Sequence, residues 1–376
     1  MLDQSDPNAL IVDTARRFSE ERLAPTAAAR EKAGFIEPAI LRELGEMGFL
    51  GATISAAWDG AEIDMVTYAR VVEEIAAGDG SVSTLVSVHN APTCEVLQMY
   101  GTDAQRDRWL RPMASGAAVG SFALTEPGAG SEASGLKTRA VRDGDGYVIN
   151  GSKQFISNAK IGQTTLLFAM TDPAAGKKGM SCFIVANDTP GYQIARVEEK
   201  LGQKASDTCH LVFDGMRVAE DQRIGAEGDG YRIALSTLEA GRIGIAAQSV
   251  GMARAALDYA VAYAKDRRSF GKAIIDHQAV GFRLVEAKTR LEAARQLVLH
   301  AARLKDAGQP ALEAAAMAKL FASEAAEAIC TAAIQTLGGY GYLCDYPVER
   351  IYRDVRVCQI YEGTSDIQKI ILQRML

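Results

Sequence analysis

Features that would announce a metal, nucleic-acid or membrane function are missing from this sequence. There are four histidines, His89, His210, His277 and His300, far apart and outside any HExxH arrangement, so metal catalysis has no obvious ligand set. The six cysteines, at 94, 182, 209, 330, 344 and 358, form no CxxC pair and no tight cluster. Zinc sites and disulfide frameworks need such spacing, so the thiols are expected to be buried and reduced. No apolar run approaches the ~20 residues of a membrane span. Lysine and arginine number 41 against 47 aspartates and glutamates, and a net charge of −6 argues against a nucleic-acid partner. Neither GxxxxGK[ST] nor GxSxG occurs. Gly128-Ala129-Gly130 does not continue as GxGxxG, so a Rossmann-type nicotinamide site is unsupported. The opening residues, MLDQSDPNALIVD, are acidic and polar, unlike a signal or transit peptide. The expectation is a soluble, cytoplasmic protein.

What is present is a large apolar fraction, 48% of 376 residues, enough for a sizeable core and two or three domains. Residues 1–117 carry helical periodicity; Leu10, Ile11, Thr14, Ala15 and Phe18 recur at helical spacing behind Asp6-Pro7-Asn8. Residues 118–226 turn Gly-rich and β-branched. VGSFALTE, YVINGSKQFIS, TTLLFAM, SCFIVAN and CHLVFDGMRV predict strands, not alternated with helices, which speaks for a small β domain rather than a doubly wound sheet. From 227 to 376 the helical period returns, with long Ala-rich segments over 231–265, 276–307 and 311–337 that suggest a bundle. The fold class is mainly α with a central β domain.

Four segments can carry chemistry, and each has a plainer explanation. Phe122-Ala-Leu-Thr-Glu-Pro-Gly-Ala-Gly-Ser131 runs from a strand into a Gly-rich turn. Its backbone N–H groups suit phosphate oxygens, or it is an ordinary turn. Phe155 and Ser157 lie two apart on a strand and so face one side, either as a surface for a planar ring or as a half-buried strand end. Arg267-Arg268-Ser-Phe-Gly271 suits a pyrophosphate, or is two solvated arginines at a helix end. Gln335-Thr-Leu-Gly-Gly339 is explained by helix capping alone. The stretch CQIYEGTSDIQ (358–368) is harder to dismiss, because it sets Glu362 between bulky apolar residues and a glycine. A carboxylate in an apolar cleft becomes a base with a raised pKa.

Taken in this order, FALTEPGAGS (122–131), KQFIS (153–157), LEAGRIGIAAQ (238–248), DRRSFGK (266–272), QTLGGYGY (335–342) and IYEGTSDIQ (360–368) closely resemble the acyl-CoA dehydrogenase family, over essentially the whole chain. GRIGIAAQ and YEGTS resemble its short-chain and short-branched-chain members. The resemblance implies an N-terminal helical domain (1–117), a middle β barrel (118–226), a C-terminal four-helix bundle (227–376), a homotetramer, and FAD. It implies that Phe122, Leu124, Thr125 and Ser131 line the flavin and its pyrophosphate. Phe155, Ile156 and Ser157 would lie against the isoalloxazine, where the family commonly has Trp-Ile-Thr. Arg267, Ser269, Phe270 and Gln278, with Gln335, Gly338 and Gly339, would reach the adenine nucleotide, partly of a neighbouring subunit. Thr364, Ser365 and Asp366 would also touch FAD. Ser131, Tyr231, Arg242 and Gly363 are matched to acyl-CoA contacts.

The reaction implied is oxidation of an acyl-CoA to the trans-2-enoyl-CoA. Glu362 would take the α proton, and the β hydrogen would leave as hydride to flavin N5. The Glu362 backbone N–H and a flavin ribityl hydroxyl would stabilise the thioester oxygen. The family's other base position, immediately before the arginine of LEAGRIG, is here Gly241, which cannot serve; Glu239 lies on a different helix face. Electrons would leave to an electron-transferring flavoprotein. An oxygen-using relative of the acyl-CoA oxidase kind is the alternative; such oxidases usually carry a further C-terminal domain, whereas 14 residues follow Glu362 here. A flavin-binding protein without activity is the other. The substrate is expected to be short, four or five carbons, with Val82, Leu85, Val86 and His89 as one pocket wall and the helix around Leu235–Ile243 as another.

Overall fold

The computed structural model describes residues 7–376, so Asp6 of the helix start lies outside the described residues. The first region is helical: α1 (Pro7–Phe18), α2 (Ala27–Ala33), α3 (Pro38–Glu46), α4 (Met65–Gly78), α5 (Gly80–Val88), α6 (Glu95–Tyr100), α7 (Asp103–Gln105) and α8 (Arg111–Ala114). Aspartates start two of these helices. Asp64 accepts from Thr67 N at 2.6 Å ahead of α4, and Asp79 accepts from Ser81 N at 2.7 Å ahead of α5. The face of α1 that is buried is Ala9, Val12, Ala15 and Phe18; Leu10, expected inside, points to solvent.

The middle region forms one mixed sheet from β1 (Gly120–Ala123), β2 (Arg139–Asp143), β3 (Gly146–Ser157), β4 (Thr164–Met170), β5 (Met180–Ala186), β6 (Tyr192–Val197), β7 (Thr208–Ala219) and β8 (Arg223–Ile224). The order is β6-β7-β3-β2-β4-β5-β8, with β1 parallel to β4. β4 is buried along its whole length because it separates two cores. Leu166 and Phe168 face Trp109, Leu110 and Ile233, while Leu167 and Ala169 face Ile149, Phe183 and Leu211. The strands β2, β6 and β8 escaped sequence reading because they are charged, solvated or very short. The expected barrel is not closed: among the described residues, no backbone pairing joins β6 to β8.

The last region is built on three long helices, α9 (Gly230–Asp266), α10 (Gln278–Asp306) and α11 (Leu312–Leu337). The shorter α12 (Pro347–Val355) packs on α9 and α11, and α13 (Ser365–Gln373) packs on α11. The expected bundle therefore has three long members and short companions. Small residues let these helices approach closely, and α4 joins them against α9. Between α9 and α10 the chain makes a small hairpin of β9 (Arg268–Ser269) and β10 (Lys272–Ala273), turned by Phe270 and Gly271 at φ +48° and +82°. Five cysteines are buried, but Cys344 is exposed in the turn before α12, against expectation. Among the described residues, no helix is long and apolar enough to cross a membrane.

Gly251 marks the tightest point of the α4–α9 contact, where a Cβ would stand 2.1 Å from the Glu73 carbonyl oxygen. Backbone cannot retreat as a side chain can, so Gly251→Ala is expected to cost about 1–3 kcal/mol. Thermal unfolding should show a Tm lower by several degrees; an unchanged Tm would mean the two helices separate freely.

Candidate active site

A cavity of about 860 Å³ opens where the sheet, α9 and the segment after α12 meet. Its size suits a sizeable organic ligand. From β1 and the loop that follows it come Phe122, Leu124, Thr125 and Ser131. Their loop is held from beneath by Lys153, whose ammonium donates to Leu124 O at 2.9 Å and Glu126 Oε1 at 2.8 Å. Glu126 also accepts from Lys137 N and Thr138 N, closing the Gly-rich turn. Burial pushes Lys153 down to about 8 although Glu126 pulls it up. A Cβ at Gly128 or Gly130 would meet nothing within 4 Å, so neither glycine is demanded by packing inside the chain.

Phe155, Ile156 and Ser157 also line the cavity, but not by simple strand alternation. The β3–β7 register shifts between Lys153 and Ile156, and Phe155 sits at φ +61°, the residue 64% exposed. A bulge, not the pleat, turns the aromatic ring out. Left-handed backbone under an exposed aromatic is costly, and such strain collects at ligand-binding positions.

Glu362 lines the same space at φ +55°, followed by Gly363 at +85°. Gln368 Nε2 donates to the carbonyls of both, at 3.2 and 2.9 Å, and Lys319 Nζ donates to Gly363 O at 2.6 Å. Thr364 caps α13 through Ile367 N. The residue as a whole is half-buried, yet its Oε2 is cut off from solvent and has no hydrogen-bond partner. Burial raises the Glu362 carboxyl to about 7, against the pull of Arg242 and Lys319. Arg242 is buried, its Nε likewise unpartnered, and burial lowers its guanidinium while Glu362 and Glu239 oppose the shift. Gly241 is the neighbour that makes room: a Cβ there would lie 2.7 Å from Glu362 Oε2. Glu239 instead pairs with Lys305 at 3.7 Å.

Tyr231 and Gly363 complete the predicted residues in this cavity. The wall from α5 is not the predicted one. Val82, Leu85 and Val86 are buried in the core cluster that also holds residues of α1, α3 and α4, and His89 bonds Met113 O and Gly120 N. Val88 and Pro92 line the cavity instead, with Leu235 and Leu238 from α9. α5 is buried all round, so hydrophobic periodicity could not select its cavity face; Pro92 was the one overlooked signal.

The remaining predicted residues lie elsewhere. Arg267, Gly338 and Gly339 line a second cavity of about 430 Å³, with Tyr263 and Tyr340. Ser269, Phe270, Gln278 and Gln335 do not line it; Phe270 is 96% exposed at the hairpin tip. Ser365 and Asp366 open α13 outside either lining, with Ser365 Oγ buried and unpartnered. The residues fit a flavin in kind: an exposed aromatic on strained backbone, a hydroxyl beside it, and a Gly-rich turn open to a ligand.

The chain matches family models described as "Acyl-CoA dehydrogenase, N-terminal domain" over residues 5–117, "middle domain" over 121–216 and "C-terminal domain" over 228–376. It belongs to the acyl-CoA dehydrogenase family, and its backbone is the acyl-CoA dehydrogenase fold. It is 42% identical over 367 residues to the short-chain specific acyl-CoA dehydrogenase of Bos taurus mitochondria, covering 98% of this chain and 89% of that one. Butyryl-CoA dehydrogenase from Megasphaera elsdenii superposes with a TM-score of 0.97 at 38% identity, covering 100% of this chain and 99% of that one. A chain from a structure described as the electron transferring flavoprotein of Acidaminococcus fermentans gives a TM-score of 0.97 at 42% identity, with 100% and 99% covered.

The enclosed carboxyl of Glu362 has a consequence for stability. Below its ordinary value of 4.5 the group is neutral folded and unfolded alike. Between 4.5 and about 7 the unfolded chain releases the proton and the folded chain keeps it, so stability falls as pH rises through this window. Gln carries no such cost. Glu362→Gln is expected to be more stable than the parent by about 1–3 kcal/mol at alkaline pH, with the gain vanishing below the carboxylate range. Paired thermal melts across pH would check it; a less stable Gln variant at high pH would mean that Glu362 has a stabilising partner.

Proposed function

We propose that this chain oxidises a short acyl-CoA thioester to its trans-2-enoyl-CoA, with Glu362 as the base that removes the α proton. The observation that carries this reading is the Glu362 carboxyl, enclosed on one oxygen, unpartnered and facing the cavity. An α proton of a thioester is weakly acidic, so a base with a raised pKa and a site that excludes water both help. FAD, when bound, accepts the hydride that leaves the β carbon. Phe155, Ile156 and Ser157 would hold the flavin ring, Thr125 and Ser131 its polar chain. The Glu362 backbone N–H, which has no hydrogen bond among the described residues, is free to meet the thioester oxygen. Gly363 lets the backbone approach the substrate, and Arg242 keeps a positive charge beside the base.

The short substrate is supported by the wall of Val88, Pro92, Leu235, Leu238 and Tyr361, and by likeness to short-chain relatives. Arg267, Ser269, Phe270, Gln278, Gln335, Gly338 and Gly339 would serve the adenine nucleotide of a neighbouring subunit in a homotetramer; a phenylalanine left 96% exposed supports a covering partner there. Thr364, Ser365 and Asp366 would contact FAD. The division at 117/118 and 226/227 into helical, β and helical domains belongs to the same reading. Electrons would pass on to an electron-transferring flavoprotein, in line with the Acidaminococcus neighbour.

Glu362→Gln should bind flavin and lose turnover by ~10²–10⁴, the usual contribution of a general base. Anaerobic bleaching of the flavin by butyryl-CoA measures this, and near-normal bleaching in the variant would sink the assignment. In the parent, kcat/KM should rise with pH through about 7, as the carboxyl ionises.

Octanoyl-CoA should be used at least ~10-fold less efficiently than butyryl- or 2-methylbutyryl-CoA, because each methylene left unburied forfeits about 0.8 kcal/mol. A chain-length series with an artificial acceptor checks this. Efficiency climbing steadily from four to ten carbons would show that the wall yields.

A further inference from the structure

Lys319 is an anomaly inside α11. Its neighbours along the buried face are Ala315, Ala316, Ala322 and Ser323, none of them charged, and its own side chain is 0% exposed. Buried ammonium groups normally pair with carboxylates, because an isolated buried charge is costly. Among the described residues, no carboxylate lies within ion-pairing distance of Lys319; its Nζ donates to a neutral acceptor, Gly363 O, at 2.6 Å. Burial accordingly lowers its ammonium to about 8. A methionine would fill the same slot without that cost, so stability alone does not account for a lysine.

The acceptor is what gives the position meaning. Gly363 O belongs to the turn in which Glu362 and Gly363 both hold left-handed backbone, at φ +55° and +85°. A glutamate held there must be kept there by contacts. Two side chains grip the turn: Gln368 from α13 on both carbonyls, and Lys319 from α11 on Gly363 O alone. Lys319 does not line the cavity, so it acts from behind the loop. The charged and titratable groups that bear on the Glu362 carboxyl are Arg242 from α9, Lys319 from α11 and, at its own cost, Tyr68 from α4. Those that bear on Lys319 are Cys358, Glu362, Arg242 and Glu324. The Cys358 thiol is itself pushed up by burial and stays neutral, so it does not cancel the ammonium.

We propose that Lys319 is a positioning residue for the base: it clamps the Gly363 carbonyl, fixes the turn that presents Glu362 to the cavity, and keeps a positive charge behind the carboxyl. The proposal rests on Glu362 being the base. Removing the charge raises the carboxyl's pKa, and the rate follows the ionised fraction, so the acid limb must move to higher pH.

The test uses the full-length, flavin-loaded enzyme with butyryl-CoA. Lys319→Met is expected to retain flavin and bind acyl-CoA within about threefold of the parent, to lose kcat by at least about tenfold, and to shift the kcat midpoint up by at least about half a pH unit. A parent-like kcat and midpoint would overturn the proposal. If Lys319→Met does not assemble, Lys319→Gln, which keeps a donor but no charge, decides it by the same midpoint shift or its absence. Failure of both to assemble would also overturn it, because the residue would then serve folding rather than the base. Glu362→Gln is run alongside. Turnover in that variant would defeat the base assignment itself, whereas an inactive Glu362→Gln beside parent-like Lys319 variants would defeat only the positioning role.

Discussion

One carboxyl kept from water sets the terms for everything around it. Glu362 is held between an unpartnered arginine, a glycine with no room for a side chain, and a backbone turn that glutamate does not favour. None of these contacts is a salt bridge that would stabilise the ionised form outright. Arg242 and Lys319 lower the carboxyl's pKa from a distance, and burial outweighs them. The result is a group near 7 rather than near 4.5, with its proton affinity matched to neutral pH. The rest of the fold supplies the stability that tolerates it.

That support is a buried polar network spanning all three regions. Tyr361, next to the base, donates to Gln248 Oε1 on α9 at 2.5 Å. Gln248 Nε2 in turn meets Gly80 O, Ser83 Oγ and Thr84 Oγ1 of α5. Thr84 donates to Gln203 Oε1 in the segment between β6 and β7, and Gln203 N bonds Asp354 on α12. Fully satisfied networks of this kind are rigid, and partly satisfied ones are costly. Tyr361 therefore cannot swing without stranding buried groups on three elements. The tyrosine that fills the floor beside Glu362 is fixed by the same contacts that lock helical and β regions together. Burial raises Asp354 to about 7, so the far end of the network also sits close to neutrality.

Much of this was legible in the sequence, and the failures have physical reasons. The long helices α9, α10 and α11 announced themselves because a helical period sustained over 26 residues or more is hard to imitate. The strands with apolar runs were visible, and the solvated β2 and β6 were not, because a strand with little to bury leaves little pattern. Glu362 stood out because a carboxylate beside Ile360 and Tyr361 contradicts its surroundings. Lys319 did not stand out, since a lysine in an Ala-rich helix reads as a solvated face. Only the packing reveals that it is enclosed. The α5 wall was misassigned for the opposite reason: when every face of a helix is buried, apolar residues carry no direction.

The backbone carries a further layer that no residue pattern displays. Among the described residues, the non-glycine positions with left-handed φ include Phe155, Asn158, Gln203, Phe270 and Glu362. Two of these line the main cavity, one directly follows β3, one anchors the polar network, and one tips the exposed hairpin. Phe, Gln and Glu disfavour the conformation, Phe and Glu with no local hydrogen bond to relieve it, whereas asparagine tolerates it. A sequence under selection for stability alone would place glycine or asparagine at such turns. Keeping aromatic and acidic side chains there means that the direction in which those side chains point matters more than the strain. The geometry of this site is therefore held by side-chain contacts from Lys319, Gln368, Gln248 and Lys153 rather than by the preferences of the residues that form it.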